Sequence, residues 1–463
     1  MENLNRRDAL KLGAWATAGL ALSGCSNFAR QVAGRKVPEG AFVPAKNASN
    51  VHQFLDRIGF GATPGDHMKV ATLGYETYIN EQLFPIDEDE PALQFQISRL
   101  DVYRVSAAEL RDLPEAEIIK QLRQGAILRA IYSRWQLQER MVDFWTNHFN
   151  IYAFKGDLAF QKGADDLEVI RKNALGNFAE MVIASSHSAA MLGYLDNRAN
   201  RKGVPNENYA RELLELHTLG VNGGYTQKDV QEVARCFTGW SVENRFLRPK
   251  DRFRFEPEFH DDGEKVVLGV KIPAGGGASD GGKVIEIVTK HPSCAKFISQ
   301  KLCRYFLGEA GNSLVPAVAA EFTRTNGDIK ATLKPILLSP LMLSGQLVVK
   351  RPFDFLISAC RSLNAGTDGG AGIQFQLDTM GQSLFDWPMP DGYPDKTSAW
   401  TGSLLPRWNF VWALTQGQIE GTSIDFAAVD GRIRDFVLGV SGAGGTTTEH
   451  AAIALIDPRF NWR

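Results

Sequence analysis

Residues 115–149, EAEIIKQLRQGAILRAIYSRWQLQERMVDFWTNHF, carry a long helical pattern. Apolar residues recur there at the three- and four-residue spacing of a helix face. Further helical patterns cover residues 64–83, 165–175, 206–219, 227–240, 283–308, 314–325, 328–339, 350–364 and 404–416. Strand-like alternation is scarce before residue 240. The sequence therefore predicts a mainly α-helical globular domain.

The helix predicted at residues 227–240 has a clear start signal. Thr226 stands at the N-cap position, and Asp229 follows three residues later, as in a capping box. Val230, Val233 and Phe237 then recur at helical spacing. These residues predict an amphipathic helix with one face in the core.

A short stretch in the middle of the chain departs from the helical pattern. Residues 252–256, RFRFE, alternate at period two, and residues 266–268, VVL, follow after Asp262-Gly263. Two alternating runs around such a turn are typical of a β-hairpin. We therefore expect a small β-hairpin insertion near residues 251–270 of the helical domain.

Composition limits the classes of partner. The chain has 463 residues, of which 44% are hydrophobic, and 51 basic residues against 53 acidic ones give a formal charge of -2. This content can build a substantial core. A balanced charge provides no electrostatic attraction for a polyanion. Nucleic acid is therefore not expected as a partner.

The N-terminus indicates a targeting segment. Arg6 and Arg7 precede an uncharged run at residues 12–24, which ends at Cys25. That run is shorter than the roughly 20 residues that span a membrane as a helix. The residues around Arg6-Arg7 resemble a twin-arginine export signal, and Leu22-Ser23-Gly24-Cys25 resembles a lipobox, which is cut before a cysteine that carries lipid. The alternative is a frayed amphipathic helix with an ordinary cysteine.

These resemblances imply a domain organisation and a location. Residues 1–24 would be the signal peptide, residues 25–50 a flexible tether, and residues 51–463 a single large helical domain. Lipid on Cys25 would attach the protein to the membrane. Ser26 after the cysteine resembles the outer-membrane sorting pattern, so we expect the periplasmic face of the outer membrane.

Four cysteines follow the lipidation candidate, namely Cys236, Cys294, Cys303 and Cys360. Cys294 and Cys303 share a predicted helix on opposite faces, about 13.5 Å apart along its axis, so they cannot bridge each other. An exported protein could pair the others. Buried free cysteines are the favoured interpretation.

The densest polar cluster is Pro205–His217, PNENYARELLELH. On an α-helix, Asn208, Arg211, Glu212 and Glu215 fall in one sector about 140° wide, whereas His217 lies with the apolar residues. Glu212, Glu215 and His217 therefore do not form one metal-binding motif. The surviving hypothesis is a carboxylate stripe partly neutralised by Arg211. A solvated face with internal ion pairs is the alternative.

A second candidate is His148, on the helical face of Met141 and Trp145, while Glu139, Asp143 and Asn147 share another face. A histidine among aromatic residues is usually a core residue with a satisfied nitrogen. The other interpretation is a general base or a metal ligand.

Two short motifs add polar candidates. Asp196 and Asn197 come just before the acidic helix, and His260-Asp261 stand at the predicted hairpin tip. A Gly-rich loop, Gly277–Lys283, fits the spacing of a phosphate-binding loop, but Val284 replaces the hydroxyl residue that would hold magnesium. A flexible connection explains those glycines.

The order of the motifs resembles one bacterial family, catalogued as domain of unknown function 1800. The resemblance rests on residues 144–149 (FWTNHF), 195–197, 206–220, 224–226, 234–240, 260–261, 291–292, 350–352, 392–394 and 457–460. The family carries no established activity. Its members resemble exported proteins, often encoded beside a second exported family that resembles phosphatases and sulfatases. That association implies a possible exported partner of this class.

Two functional hypotheses follow. The first is a hydrolase-like enzyme, in which carboxylates and histidine hold a divalent metal ion or act as general acid and base. Its catalytic candidates are Glu212, Glu215, Arg211, Asn208, His148, Asp196 and Asn197, and its metal-ligand candidates are His260 and Asp261. The second is a non-catalytic envelope protein that binds or assembles a surface polymer or a partner protein through the loop around Trp387.

Overall fold

A computed structural model of the protein describes residues 50–85, 91–245, 248, 250–426 and 447–463. Helices dominate, and every sheet in these ranges is a two-stranded antiparallel ribbon. The mainly α-helical class is thereby confirmed. Residues 1–49, with Arg6, Arg7 and Cys25, lie outside the described residues, so export and lipid attachment stay predictions.

The helices follow one another along the chain with short connections. They are α1 (Asn50–Ile58), α2 (Pro64–Leu73), α3 (Tyr75–Leu83), α4 (Pro91–Ser98), α5 (Ala107–Leu110), α6 (Glu115–Tyr132), α7 (Gln136–His148), α8 (Ala159–Ala164), α9 (Phe178–Ser186), α10 (Ala189–Tyr194), α11 (Asn208–Glu212), α12 (Gln227–Cys236), α13 (Ser279–Lys290), α14 (Pro292–Leu307), α15 (Val315–Arg324), α16 (Ile329–Leu337), α17 (Leu341–Ser344), α18 (Pro352–Ser362), α19 (Ala371–Thr379), α20 (Leu404–Thr415) and α21 (Thr447–Ile456). None in the described part of the chain is both long and apolar enough to cross a membrane.

Breaks divide two of the predicted helices. The pattern at 64–83 is split at Gly74, whose φ of 77° interrupts the helix. The pattern at 115–149 is split between α6 and α7, where Ser133 is extended and accepts a hydrogen bond from the Trp135 backbone N–H. As predicted, Thr226 caps α12 through a capping box with Asp229.

Two segments continue an α-helix as π-helix: π1 (Asp165–Arg171) after α8, and π2 (Leu213–Thr218) after α11. In π2 the Leu219 N–H donates to the Leu214 carbonyl, five residues back, at 2.9 Å. Residues five apart lie 140° apart on an α-helix but nearly above one another on a π-helix. Each π segment therefore changes which side chains share a face.

The strands differ from the predicted hairpin in their pairing. They are β1 (Trp240–Val242), β2 (Phe253–Phe255), β3 (Lys265–Val267), β4 (Val270–Ile272), β5 (Gly366–Thr367) and β6 (Thr422–Ser423). The runs at 252–256 and 266–268 were expected to pair with each other, but β2 pairs with β1 and β3 with β4. The turn of the second ribbon is Leu268-Gly269, both with positive φ, as a tight hairpin turn requires.

The core consists of two clusters of buried apolar side chains. Trp145, Phe178 and Tyr305 belong to the first cluster, and Phe60 and Phe353 belong to the second. Between them lies Arg140, whose guanidinium is 5.2 Å from the Tyr305 ring and 4.7 Å from the Phe60 ring. Arg140 therefore places a buried positive charge between the two apolar clusters.

The four cysteines from Cys236 onward are buried and free, which confirms the favoured interpretation. Burial raises the pKa of Cys236, Cys303 and Cys360 to about 12. Since the thiolate is the reactive form, these cysteines are chemically inert core residues.

Two glycines of the Gly-rich segment lie where a larger residue would not fit. A Cβ on Gly276 would lie 1.9 Å from Asp280 Oδ1, and one on Gly281 would lie 2.3 Å from the Trp240 ring. Asp280 is fully buried and accepts a 2.7 Å hydrogen bond from Lys265 Nζ. The Lys265–Asp280 pair thus joins β3 to α13, and close packing accounts for Gly276 and Gly281.

Candidate functional site

His148 lies in the first apolar cluster with both ring nitrogens bonded. Lys301 Nζ donates to Nδ1 at 2.9 Å, so Nε2 carries the proton and donates to the His217 carbonyl at 3.0 Å. Burial, reinforced by the charge of Lys301, lowers the pKa of His148 well below its ordinary value. In this arrangement the ring is neutral and offers no free nitrogen to a substrate.

His217 and the carboxylates of the acidic helix point in different directions. His217, in π2, is 1% exposed and packs 5.0 Å from the Phe149 ring. Burial lowers the pKa of His217 to about 3. Glu212 and Glu215 are only partly buried. The structure therefore does not combine His217 with these carboxylates.

Glu212 lies in an acidic neighbourhood at the surface. Burial, then the negative charges of Glu215 and Asp391, raise the pKa of Glu212, while Arg211 opposes the shift. Tyr225 is hydrogen-bonded to Glu215. Asp391 lies on a loop almost 180 residues further along the chain, so helical spacing does not link it to Glu212.

Arg211, Asn208, Asp196 and Asn197 mainly maintain local structure. Arg211 pairs with Glu207 at 3.0 Å, and Asn208 Nδ2 donates to the Leu195 carbonyl. Asn197 is 1% exposed and bonds to the carbonyls of residues 237 and 240. Asp196 has a φ of 60° and pairs with Lys155 at 2.9 Å.

The two metal-ligand candidates bind different partners. His260 Nδ1 donates to the Thr238 carbonyl at 2.7 Å, and Nε2 lies 3.4 Å from Asp280 Oδ2. Asp261 forms a bidentate pair with Arg235, whose hydrogen bonds lower the pKa of Asp261 to about 2. Among the described residues, no three His, Cys, Asp or Glu side chains could together hold a metal ion.

The other polar face of α7 lines a cavity. Glu139, Asp143 and Asn147 form one wall, and Phe60, Phe353 and Phe385 contribute to an apolar wall. The space not filled by atoms is about 650 Å³, including solvent at the mouth. We call it the ion-pair cavity, because the charged side chains that line it are matched with opposite charges.

Two arginines pair with the carboxylates of α7. Arg171 forms a bidentate pair with Glu139, with distances of 2.6 and 3.0 Å. Arg351 pairs with Asp143, which also accepts a 2.7 Å hydrogen bond from the Tyr305 hydroxyl. Bidentate and charge-assisted bonds of this kind fix the side chains in place. The polar wall is therefore preorganised.

These pairs keep the arginines charged. Although burial opposes the charge, Glu139 and Asp166 raise the pKa of Arg171 above its ordinary value. Asp143 and Asp354 do the same for the pKa of Arg351, again against burial. Arg171 and Arg351 therefore present charged hydrogen-bond donors at the wall of the cavity.

The π1 segment places a third carboxylate at the same wall. Asp166 and Arg171 are five residues apart, and Arg171 Nε lies 3.9 Å from Asp166 Oδ2. Arg129 of α6 approaches the same oxygen to 3.6 Å. An α-helix would turn Asp166 away from Arg171, so π-helical geometry is what brings them together.

Residues 387–394, which we call the rim loop, dock on the end of α7. Asn147 Oδ1 accepts from the Tyr393 N–H at 2.7 Å, and Asn147 Nδ2 donates to the Tyr393 carbonyl at 3.1 Å. Asn150 Nδ2 donates to the carbonyls of Trp387 and Met389. Asn147, Asn150 and Tyr393 all line the ion-pair cavity. The rim loop therefore forms one edge of its mouth.

The sequence pattern indicates the α7 side of this wall but not the arginines that pair with it. The shared face of Glu139, Asp143 and Asn147 follows from helical spacing, but the face was not assigned a function. Arg171 and Arg351 are distant in sequence, so no spacing links them to α7. The available signal was two carboxylates one turn apart on a helix that is otherwise buried.

Comparison with known proteins gives one match. A family model with the description "Protein of unknown function (DUF1800)" matches residues 53–459. No curated protein and no solved structure matches the chain.

Proposed function

Because the chain belongs to the DUF1800 family of unknown function, we propose a function from the ion-pair cavity itself. We propose that this exported, lipid-anchored protein binds a small neutral molecule rich in hydroxyl groups. The observation that carries this proposal is the pairing of every carboxylate in the polar wall with an arginine, opposite an aromatic wall.

Charge balance favours a neutral ligand. An ionic ligand would bring a charge that no unpaired group in the wall compensates, and burying such a charge is costly. Hydroxyl groups can donate to Glu139 and Asp143 and accept from Arg171 and Arg351. The apolar faces of the ligand would pack against Phe353 and Phe385.

The size of the cavity limits the ligand. The centre of a water molecule fits into about 60 Å³ of its space. This space is narrow, so the cavity admits only a small molecule. The ligand is therefore expected to be no larger than a single sugar ring or a short polyol, with the rim loop in place on α7.

We expect Ala126→Phe to abolish this binding. Ala126 of α6 lines the cavity, so a phenyl ring there occupies space that the ligand needs. Titration calorimetry of the purified protein against monosaccharides and polyols measures the effect. Ala320→Phe, on the exposed side of α15, is the matched control and should bind as the wild type does. Equal affinities of the two variants, or a preference for ionic compounds, would contradict the proposal.

The location is part of the proposal and rests on the sequence. Arg6-Arg7 and Cys25 support export and lipid attachment. Mass spectrometry of the chain extracted from membranes should give a mature protein that begins at Cys25 and carries acyl groups. An unprocessed, unacylated chain would contradict the proposed location but not the proposed ligand binding in the ion-pair cavity.

We propose acid–base hydrolysis near Glu212 as a second candidate function. The raised pKa of Glu212 supports it, because a general acid needs a carboxyl group that holds its proton more tightly than an exposed glutamate does. Glu215 and Asp391 beside it could stabilise positive charge. His148 has no part in this version, since both of its ring nitrogens are bonded.

The pH dependence of stability tests the Glu212 environment. A carboxyl group whose folded-state pKa is raised binds protons more tightly in the folded protein. The free energy of unfolding should therefore fall as pH rises from the ordinary glutamate pKa of 4.5 through the raised value. Urea denaturation at several pH values should show this fall weakened in Glu212→Gln. Glu76→Gln, exposed on α3, is the control, and identical pH profiles for both variants would refute this assignment.

A further inference from the structure

A second and roomier concavity lies on the other side of π1. It is bounded by residues 104–107, α8, π1, the end of α9 with residues 187–189, and residues 250–253. The centre of a water molecule fits into about 740 Å³ of it, against about 60 Å³ for the ion-pair cavity. We call it the polar groove. Its volume and the number of elements that border it suit a ligand larger than a single small molecule.

The charges of the polar groove cancel. Three basic side chains line the groove, namely Arg104, Lys250 and Arg252. Three acidic side chains line it as well, namely Asp165, Glu168 and Asp251. Several are paired, for example Arg252 with Glu168 at 3.4 Å and Asp251 with Arg111 at 2.7 Å. Without a dominant sign, the groove has no electrostatic attraction for a polyanion or a polycation.

One buried acceptor in the groove wall has no partner. Gln161 is 3% exposed, and its Nε2 donates to Asp251 Oδ1 at 2.7 Å. Its Oε1 has no hydrogen-bond partner within the described residues. This oxygen is shielded from solvent, so it lies beneath the groove surface, and the part that Gln161 plays is to hold Asp251 in place at the wall.

Aromatic rings form another part of the wall. The His187 and Phe253 ring centroids are 4.2 Å apart, and both residues line the groove. His187 Nδ1 donates to the Ile183 carbonyl at 2.8 Å, and burial lowers the pKa of His187, so the ring is neutral near pH 7. Neutral rings offer an apolar surface to the C–H face of a sugar ring.

We propose that the polar groove binds a neutral polysaccharide chain. Hydroxyl groups along such a chain match the mixed donors and acceptors of the charged lining residues, and its C–H faces match the aromatic rings. An extended peptide is the main competing occupant, because the edge of β2 that does not face β1 adjoins the groove at Phe253. The proposal is independent of ligand binding in the ion-pair cavity.

The test uses the full chain with Cys25→Ser, so that lipid does not interfere. Binding is measured on an array of neutral oligosaccharides of increasing length, with heparin and a peptide library on the same surface. We expect affinity for at least one neutral glycan, rising with chain length. Absence of neutral-glycan binding, or a preference for heparin or peptides, overturns the proposal.

Variants locate the binding site. Ala164→Trp fills the groove from an exposed position on α8 and should remove glycan binding, whereas Ala320→Trp on α15 should not. Phe253→Leu keeps apolar bulk but loses the ring, which should weaken binding roughly threefold to tenfold. Ala126→Phe in the ion-pair cavity should leave glycan binding unchanged. Equal binding by Ala164→Trp and Ala320→Trp would place the ligand elsewhere and overturn the proposal.

Discussion

Asp354→Asn is expected to destabilise the folded protein by about 3–5 kcal/mol, the usual effect of leaving a buried charge without its partner. Asp354 is 2% exposed at the start of α18. It pairs with Arg140, which is fully buried, and lies 3.7 Å from both Arg351 Nε and Arg463 Nε. Three guanidinium groups therefore surround one carboxylate.

The pKa of Asp354 shows how strongly its carboxylate interacts with the three arginines. Burial alone would raise the pKa of Asp354, yet Arg140, Arg463 and Arg351 hold it far below the ordinary range. Asparagine keeps the shape of the side chain but not the charge. Arg140 and Arg463 would then remain buried without this compensating charge, whereas Arg351 would keep its pair with Asp143.

Urea denaturation followed by fluorescence measures the change in unfolding free energy. Glu321→Gln is the control, because Glu321 pairs with Arg324 at the surface and should contribute little. If Asp354→Asn unfolds at the same urea concentration as this control, the network does not stabilise the fold as described. A variant too unstable to purify would agree with the expected loss.

Gly392→Ala is expected to destabilise the protein by about 2–4 kcal/mol, from left-handed backbone strain together with steric overlap. Gly392 has a φ of 74°, and a Cβ there would lie 2.3 Å from the Asn147 carbonyl oxygen. The alanine would push the rim loop off α7 and break the two hydrogen bonds between Asn147 and Tyr393. Ligand binding in the ion-pair cavity should be lost with it.

Gly417→Ala is the control that separates backbone strain from steric overlap. Gly417 also has a positive φ, 64°, but a Cβ there would have no neighbour within 4 Å. It should cost only the backbone strain, about 1–2 kcal/mol. Limited proteolysis should cleave the rim loop faster in Gly392→Ala than in Gly417→Ala. Equal stability and equal cleavage rates in the two variants would show that the rim loop is not held by this close contact.

Much of the fold could be read from local patterns. Helical spacing located the helical stretch at residues 115–149 but not its division into α6 and α7. Thr226 with Asp229 located the start of α12, because a capping box depends only on residues within one turn. The break at Gly74 was missed, although a glycine that ends a helix with positive φ is also a local signal. The pairing of β2 with β1 was missed because strand runs alone do not specify their partners.

The candidate site was harder to predict. On an ideal α-helix, Asp166 and Arg171 belong to different faces. No local sequence pattern predicts the π-helical geometry that brings them together. His148 was singled out for its aromatic neighbours, yet Lys301, which occupies its second nitrogen, is 153 residues away. Such pairings arise only when distant helices pack together.

The sequence by itself determined the helical class and the polar face of α7, because both follow from the spacing of residues along one segment. Only the tertiary structure decided what that face does. It brought Arg171 and Arg351 to Glu139 and Asp143, closed the cavity with the rim loop, and divided the two faces of π1 between cavity and groove. Burying these charges is tolerable only when each has its partner, and the partners come from segments that meet only in the folded chain.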